Sequence, residues 1–226
     1  MSNLLIGYSG FVGSNLDHSK YNVFINSTNY EGIKDEFFDH VMCCGFSGTK
    51  YIANKNPTED WNKIKQLLDT ILTIKCNKFT LISTIDIYFD HAYGKHRKKI
   101  EDILKNYFSE SLTIVRLPGI YGKNLKKNAM YDLIHNHNLD QISLKDQYQW
   151  YSLFDLESDI ASNMHKKIIE LFPEPILIEE INNNIFQFDT KYFSSLKPTK
   201  HYDNKPYIYS KELVLKKIKQ DISKIK

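Results

Sequence analysis

The sequence predicts an α/β fold whose strands form a doubly wound parallel sheet. Short apolar runs that end in glycine or polar residues are typical of buried strands, and longer segments with apolar residues at three- and four-residue steps are typical of helices. The two kinds of segment alternate along the chain, which is the pattern of parallel sheets with helical connections. A length of 226 residues suits one domain of this class, and no internal repeat interrupts the alternation.

The first half of the predicted sheet is short. Asn3–Ile6 is the first strand, and a helix is expected from Phe11 to about His18. Asn22–Asn26 is the second strand candidate and Val41–Cys44 the third. Only residues 27–40 separate these two strands, too few for a full helix and another strand. We therefore expect a shortened first half.

The second half continues the alternation more regularly. Its predicted elements are helix Asp60–Lys75, strand Phe79–Ile82, helix Tyr93–Tyr107 and strand Leu112–Val115. Beyond about Asn124 the pattern weakens, although Met130–His137 has helical spacing and the C-terminus has the pattern of an amphipathic helix. We expect residues 1–123 to form the core and residues 124–226 a small cap with a closing C-terminal helix, the two together making one compact domain.

Composition narrows the classes of function. A net charge of +3, from 30 basic and 27 acidic residues, is too small to indicate a nucleic-acid or anionic-membrane partner. No apolar run approaches the roughly 20 residues that a membrane span needs, and no secretory signal pattern opens the sequence. The three cysteines form neither a disulfide framework nor a CxxC pair. We expect a cytoplasmic protein that binds neither nucleic acid nor membrane.

The segment Gly7–Gly13 (Gly-Tyr-Ser-Gly-Phe-Val-Gly) is a G-x-x-G-x-x-G turn between a strand and a predicted helix. Glycines in such a turn permit the tight bend, let main-chain N–H groups approach a pyrophosphate and allow close packing. The pattern favours a Rossmann-type dinucleotide site over a turn that merely needs glycine. The predicted cofactor contacts are Gly7, Ser9, Gly10, Phe11, Val12 and Gly13 in the turn, and Ser27, Cys44, Gly45, Ser83 and Pro118 elsewhere in the chain.

The choice between NAD and NADP stays open at this point. NAD sites usually carry an acidic residue about 20 residues after the first glycine, where it holds the ribose hydroxyls. Here that segment, Asn26–Asn29, has no carboxylate, which favours NADP slightly, but it also has no arginine for a 2′-phosphate. No metal site is predicted, because His135 and His137 have no further ligand residues at metal-binding spacing.

Three further segments follow the glycine turn in an order and spacing typical of a known family. They are Leu81–Tyr88, Tyr93–Arg97 and Leu112–Gly122. With the turn, they resemble the NAD-dependent epimerase/dehydratase family of the extended short-chain dehydrogenase/reductase group. The resemblance runs from Asn3 to about Gly122. Gln149–Asp155 resembles the family's substrate-side segment less closely.

The resemblance implies a catalytic set of Tyr93, Thr84 and Arg97. A tyrosine that moves a proton needs a positive charge beside it, because its free pKa is about 10. In the family a lysine four residues after the tyrosine supplies this charge, and residues four apart share a helix face. Here that position is Arg97, whose planar guanidinium does not copy a compact ammonium. Arg97 is either a working variant or the mark of a site that binds nucleotide without efficient turnover.

Family members of this kind mostly act on sugars attached to nucleoside diphosphates. The resemblance therefore implies an NAD(P)-dependent oxidoreductase or epimerase of a nucleotide-linked sugar, in a pathway such as surface-polysaccharide biosynthesis. The alternative is a non-catalytic dinucleotide-binding sensor or scaffold protein. Relatives often pair through helices that correspond to Asp60–Lys75 and Tyr93–Tyr107, so a homodimer is an open alternative to a monomer.

Overall fold

The computed structural model describes residues 2–195 and 201–225; residues 196–200 and 226, which the predicted cap includes, lie outside the described part. The chain divides into two compact units. One contains the chain up to Leu117 together with Glu157–Glu170, and the other contains Pro118–Leu156 and the chain from Leu171 onward.

The strands and helices alternate through most of the chain. The strands are β1 (Asn3–Ile6), β2 (Val23–Ile25), β3 (Phe37–Cys43), β4 (Lys75–Thr84), β5 (Leu112–Leu117), β6 (Gly119–Tyr121), β7 (Gln147–Tyr148), β8 (Trp150–Ser152), β9 (Ile168–Glu170) and β10 (Ile176–Leu177). The α-helices are α1 (Lys50–Lys55), α2 (Pro57–Ile71), α3 (Ala92–Phe108), α4 (Ala129–His135), α5 (Leu156–Ser162), α6 (Ile178–Ile181) and α7 (Lys211–Ile225).

The first unit is built on a six-stranded sheet in the order β2-β1-β3-β4-β5-β9, and all of its strand pairs are parallel. The chain moves outward from β1 to β2, and then from β3 onward in the other direction. This reversal at β1 makes the sheet doubly wound. The predicted Rossmann-type fold is confirmed.

The core of this unit explains why these segments fold as they do. The second halves of β3 and β4 and the whole of β5 are largely buried, as expected of parallel strands covered on both faces. Helices α2 and α3 each bury one apolar stripe, which includes Ile64 and Leu68 on α2 and Ile100 and Leu104 on α3. These residues belong to one cluster with the strands, so the strand ends are held in fixed positions.

The shortened first half is present, with one correction. A single 3₁₀ turn, Tyr30–Ile33, connects β2 to β3. The helix predicted over Phe11–His18 is wrong: two 3₁₀ turns, Gly13–Asn15 and His18–Lys20, stand there. This segment is rich in Gly, Ser, Asn and Asp. The polar side chains among them form hydrogen bonds with nearby main-chain groups and so favour turns. Asp17, for example, accepts a hydrogen bond from the main-chain N–H of Ser19.

The second unit contains two small sheets. β7 pairs with β10 in antiparallel fashion, and β6 pairs with β8 in parallel. Helix α7 contacts β8, where the hydroxyl of Ser152 donates a 2.7 Å hydrogen bond to the buried carboxylate of Asp221. Within residues 2–195 and 201–225, no helix is long and apolar enough to cross a membrane.

Candidate functional site

The glycine turn lies at the carboxyl end of β1, where the strand order reverses. Open α/β sheets bind ligands at this point. Gly7 has a φ of +82°, and a Cβ there would lie 2.6 Å from the main-chain carbonyl of Cys44. A Cβ on Gly13 would lie 2.2 Å from the carbonyl oxygen of Gly7. The turn after β1 is therefore packed directly on Cys44 and Gly45, the residues that follow β3.

Gly10 differs from the other two glycines of the turn. A Cβ on Gly10 would meet only the carbonyl oxygen of Gly7, at 3.2 Å. Gly10 and Ser9 are exposed, while Phe11 and Val12 are half-buried. Internal packing thus explains Gly7 and Gly13 and restricts position 10 less severely. The exposed side of the turn at Gly10 leaves its main chain open to a ligand, which fits the predicted dinucleotide.

The turn after β2 is organised by an asparagine. Asn26 accepts a 2.9 Å hydrogen bond from the main-chain N–H of Thr28 and donates to the hydroxyl of Tyr8 at 3.3 Å. Ser27 is exposed in this turn. The rings of Tyr8, His18 and Phe24 form an aromatic cluster beside it. No periodic pattern in the amino-acid sequence indicates this cluster.

Thr84 and Tyr93 belong to elements that are locked together. The hydroxyl of Thr84 accepts from the main-chain N–H of Asp86 at 3.2 Å, which caps the turn after β4. A Cβ on Gly94 would lie 2.1 Å from the carbonyl oxygen of Asp86, so α3 begins directly against that turn. Tyr93 is buried in the first turn of α3, and its N–H donates to the side chain of Asn54 at 2.9 Å.

Arg97 lies one helical turn after Tyr93, and its guanidinium carbon is 4.5 Å from the centre of the Tyr93 ring. Arg97 is 5% exposed, and its Nη2 donates to the main-chain carbonyl of Ser47. Its Nη1 is buried and has no hydrogen-bond partner among the described residues. Such an orphaned donor is costly unless something else accepts from it. The hydroxyl of a bound ribose is an acceptor that fits this role.

The pKa of Tyr93 is raised, although the positive charge of Arg97 was expected to help the phenol ionise. Burial raises the pKa of Tyr93, the charge of Arg97 opposes this effect, and the carboxylates of Asp86 and Asp60 add to it. With the pKa above its usual value of about 10, Tyr93 is a proton donor at neutral pH. The arrangement can therefore protonate a carbonyl oxygen as a hydride reaches the carbon.

Asp86 is at the centre of a polar cluster that the sequence pattern did not indicate. Its Oδ1 lies 2.5 Å from Nζ of Lys50 and 3.1 Å from Nε2 of His91. The other imidazole nitrogen of His91 accepts from the main-chain N–H of Gly94 at 3.0 Å, so His91 also caps α3. The sequence does not reveal this cluster, because Lys50 comes from the segment after β3 and lies 36 residues from Asp86 along the chain.

The remaining predicted site residues occupy other parts of the structure. Ser83 is buried, and its hydroxyl donates to Glu101 at 2.6 Å. Pro118 follows β5 and is the first residue of the second unit. No group of three or more His, Cys, Asp or Glu side chains with metal-binding geometry occurs within residues 2–195 and 201–225. The cofactor roles of Ser83 and Pro118 stay predictions.

Comparisons with known proteins relate the fold to nucleotide-sugar enzymes. No protein-family model and no curated protein matches the chain in sequence. UDP-glucose 4-epimerase from Thermotoga maritima, solved with UDP-glucose, has a TM-score of 0.68 and 13% identity, and the match covers 99% of this chain and 98% of that chain. A dTDP-4-dehydrorhamnose reductase from Clostridium acetobutylicum has a TM-score of 0.67, 16% identity and 99% coverage of both chains.

A third solved structure contains a cofactor. UDP-glucuronic acid 4-epimerase from Bacillus cereus, in complex with UDP-glucuronic acid and NAD, has a TM-score of 0.65 and 17% identity. The match covers 98% of this chain and 93% of that chain. Because sequence identity is low in all three cases, the likeness establishes the fold. The fold implied by the resemblance to the epimerase/dehydratase family is thereby confirmed.

Proposed function

We propose that the chain is an NAD(P)-dependent oxidoreductase or epimerase that acts on a nucleotide-linked sugar. The main support is the stacking of Arg97 on a buried, protonated Tyr93 whose helix packs against the turn capped by Thr84. The open side of the turn at Gly10 supports the cofactor. The solved nucleotide-sugar enzymes with the same fold support the substrate class.

A bound nicotinamide supplies or accepts the hydride in this chemistry. The Gly7–Gly13 turn would hold the pyrophosphate, and Nη1 of Arg97 would donate to a ribose hydroxyl. In the direction of reduction, the hydroxyl of Thr84 donates a hydrogen bond to the substrate carbonyl oxygen, and Tyr93 transfers its proton to that oxygen. In the direction of oxidation, the tyrosinate takes the proton back from the carbinol.

The cofactor is a nicotinamide dinucleotide in this proposal. The choice between NAD and NADP, which differ by a 2′-phosphate on the ribose, stays open. The Bacillus cereus neighbour holds NAD. In this chain the turn after β2 has no carboxylate to repel a 2′-phosphate, so the site also accommodates NADP. The three cysteines are free, which is consistent with a cytoplasmic site of action.

The test is a fluorescence titration of the purified protein with NADH and with NADPH. We expect one or both to bind the wild type, and Gly10→Glu to abolish binding, because its carboxylate would occupy the pyrophosphate position. Gly32→Glu is the matched control: it adds the same charge at an exposed glycine whose Cβ would have no atom within 4 Å. If neither cofactor binds the wild type at millimolar concentration, the proposed function is wrong.

A non-catalytic sensor or scaffold is the second candidate. One observation favours it: Nη2 of Arg97 is already engaged by the carbonyl of Ser47, and the guanidinium lies over the ring face of Tyr93. Such a protein would bind the dinucleotide without efficient turnover. Cofactor binding with no reaction on any keto-sugar nucleotide, together with unchanged partner binding in Tyr93→Phe, would support the sensor.

A further inference from the structure

Asp60 is a buried carboxylate that the proposed chemistry does not yet use. It lies in the first turn of α2 and is 8% exposed. Its Oδ2 is 2.8 Å from Nδ1 of His96, and its Oδ1 is 3.7 Å from Nη2 of Arg97. One carboxylate on α2 therefore faces two consecutive residues of α3, one of which stacks on Tyr93.

The guanidinium of Arg97 is held by contacts from two other segments of the chain. The carbonyl of Ser47 accepts from Nη2, and the carboxylate of Asp60 faces the same nitrogen. His96 holds the second oxygen of Asp60, which prevents the carboxylate from turning away. With these contacts the guanidinium lies over the ring of Tyr93.

The charges around Tyr93 also connect Asp60 with Arg97. Arginine stays positive at every accessible pH, and a positive charge next to a phenol favours the phenolate. Asp60 is the carboxylate paired with that charge. The remaining charged or titratable groups that face Tyr93 are Asp86 and His91, from the segment before α3.

The composition of the chain supports a specific need for arginine. Only two of its 30 basic residues are arginines, Arg97 and Arg116, and both are buried in ion pairs. The chain uses lysine everywhere else. A planar guanidinium can stack on a ring and reach both a carbonyl and a carboxylate, whereas a lysine ammonium is a point charge.

We propose that Asp60 is a positioning residue for Arg97: it holds the guanidinium over the face of Tyr93 and offsets its charge there. By offsetting that charge, Asp60 keeps the proton on Tyr93, which suits a proton donor. This inference uses the proposed function only in giving Tyr93 that role. Its test uses neither cofactor nor substrate, so failure of one proposal is distinguishable from failure of the other.

The test is a ¹⁹F NMR titration of protein labelled with 3-fluorotyrosine. Tyr93→Phe identifies the Tyr93 signal among the 15 tyrosines. In Asp60→Asn, which keeps an acceptor for His96 but removes the charge, we expect the Tyr93 midpoint to fall by about 1 pH unit. Glu59→Gln is the matched control, because it removes the same charge from the same helix turn, at a residue that is exposed and paired with Lys63.

An unchanged midpoint in Asp60→Asn, or an equal fall in Glu59→Gln, would overturn the proposal. The second result would mean that the charge at the start of α2 acts through the helix dipole. If Asp60→Asn does not fold, Arg97→Gln is compared with the double variant Asp60→Asn/Arg97→Gln, which leaves no unpaired charge. Because the guanidinium is absent from both variants, this comparison tests the charge of Asp60 alone. The proposed offset of charge at Tyr93 requires a higher midpoint in the single variant than in the double one, and equal midpoints contradict it.

Discussion

At the scale of single residues, the surroundings of Tyr93 favour its protonated phenol, which suits the proton-donor role proposed for it. It is 7% exposed, and burial is the largest influence that raises its pKa. A buried phenol between carboxylates and a compensated guanidinium stays neutral through the physiological range. Reduction of a carbonyl should therefore be nearly independent of pH around neutrality. Oxidation, which needs the phenolate, should accelerate as the pH rises towards the pKa of Tyr93.

Tyr93→Phe separates the two candidate functions. The change removes the hydroxyl and keeps the ring that Arg97 stacks on. We expect turnover of a keto-sugar nucleotide with NADH or NADPH to fall by roughly 10²- to 10⁴-fold, the usual contribution of a general acid. Cofactor affinity should stay within about twofold, measured by the same fluorescence titration. Unchanged turnover in the variant would remove Tyr93 from the chemistry.

At this scale, Thr84, Tyr93 and Arg97 were predicted from the resemblance of their segments to the epimerase/dehydratase family. The structure brings the elements that carry them into contact, and their catalytic roles stay predictions. Asp60 and Lys50 were not identified. Their partners lie 36 and 37 residues away along the chain, and contacts at such separations leave no pattern in a single sequence.

At the scale of elements, the periodic pattern of apolar residues predicted the buried strands and helices. The prediction failed where polar side chains form turns. The strands and the two long helices were predicted because their side chains pack into one core. The structure of the segment after the glycine turn was not predicted correctly. Its polar side chains form local hydrogen bonds, which favour turns over a continuous helix. The last strand of the sheet, β9, is only three residues long and too short for a periodic pattern.

A network around a buried ion pair links four of these elements. Glu101 of α3 is fully buried and accepts from Arg116 of β5 at 2.7 Å and from Ser83 of β4 at 2.6 Å. Arg116 also donates to Glu170 of β9 at 2.8 Å. The register of α3 against the sheet, and with it the position of Tyr93, depends on this network.

Glu101→Gln tests the contribution of the network to stability. The substitution removes one of the two carboxylates that pair with Arg116, so we expect the free energy of unfolding to fall by up to about 3 kcal/mol. Glu110→Gln is the control, since it breaks an exposed ion pair with Lys167 and should cost less than about 1 kcal/mol. Urea denaturation at pH 7 measures both. Equal losses in the two variants would show that the buried pair has no special weight.

At the scale of the whole molecule, several acids are buried in their neutral forms. Burial raises the pKa of Cys43 to about 12, and it also raises the pKa of Tyr21, Tyr93 and Tyr148. In the unfolded chain a cysteine ionises near pH 8.5 and a tyrosine near pH 10, by roughly their reference values. Above those pH values the unfolded chain binds fewer protons than the folded one, so stability declines as the pH rises.

The share of Cys43 in the alkaline decline can be measured by changing this residue, which is fully buried in β3. Its contribution to stability is complete below about pH 8.5 and is lost as the pH rises towards its folded pKa of about 12, at about 1.4 kcal/mol per pH unit. Cys43→Ala lowers stability at every pH by removing buried atoms, so the slope between pH 9 and pH 11 is the quantity to compare, by urea denaturation. We expect a shallower slope in the variant, by up to about 1.4 kcal/mol per pH unit. Parallel curves for wild type and variant would mean that the thiol ionises as readily in the folded protein as in the unfolded chain, and that the sheet at β3 admits water.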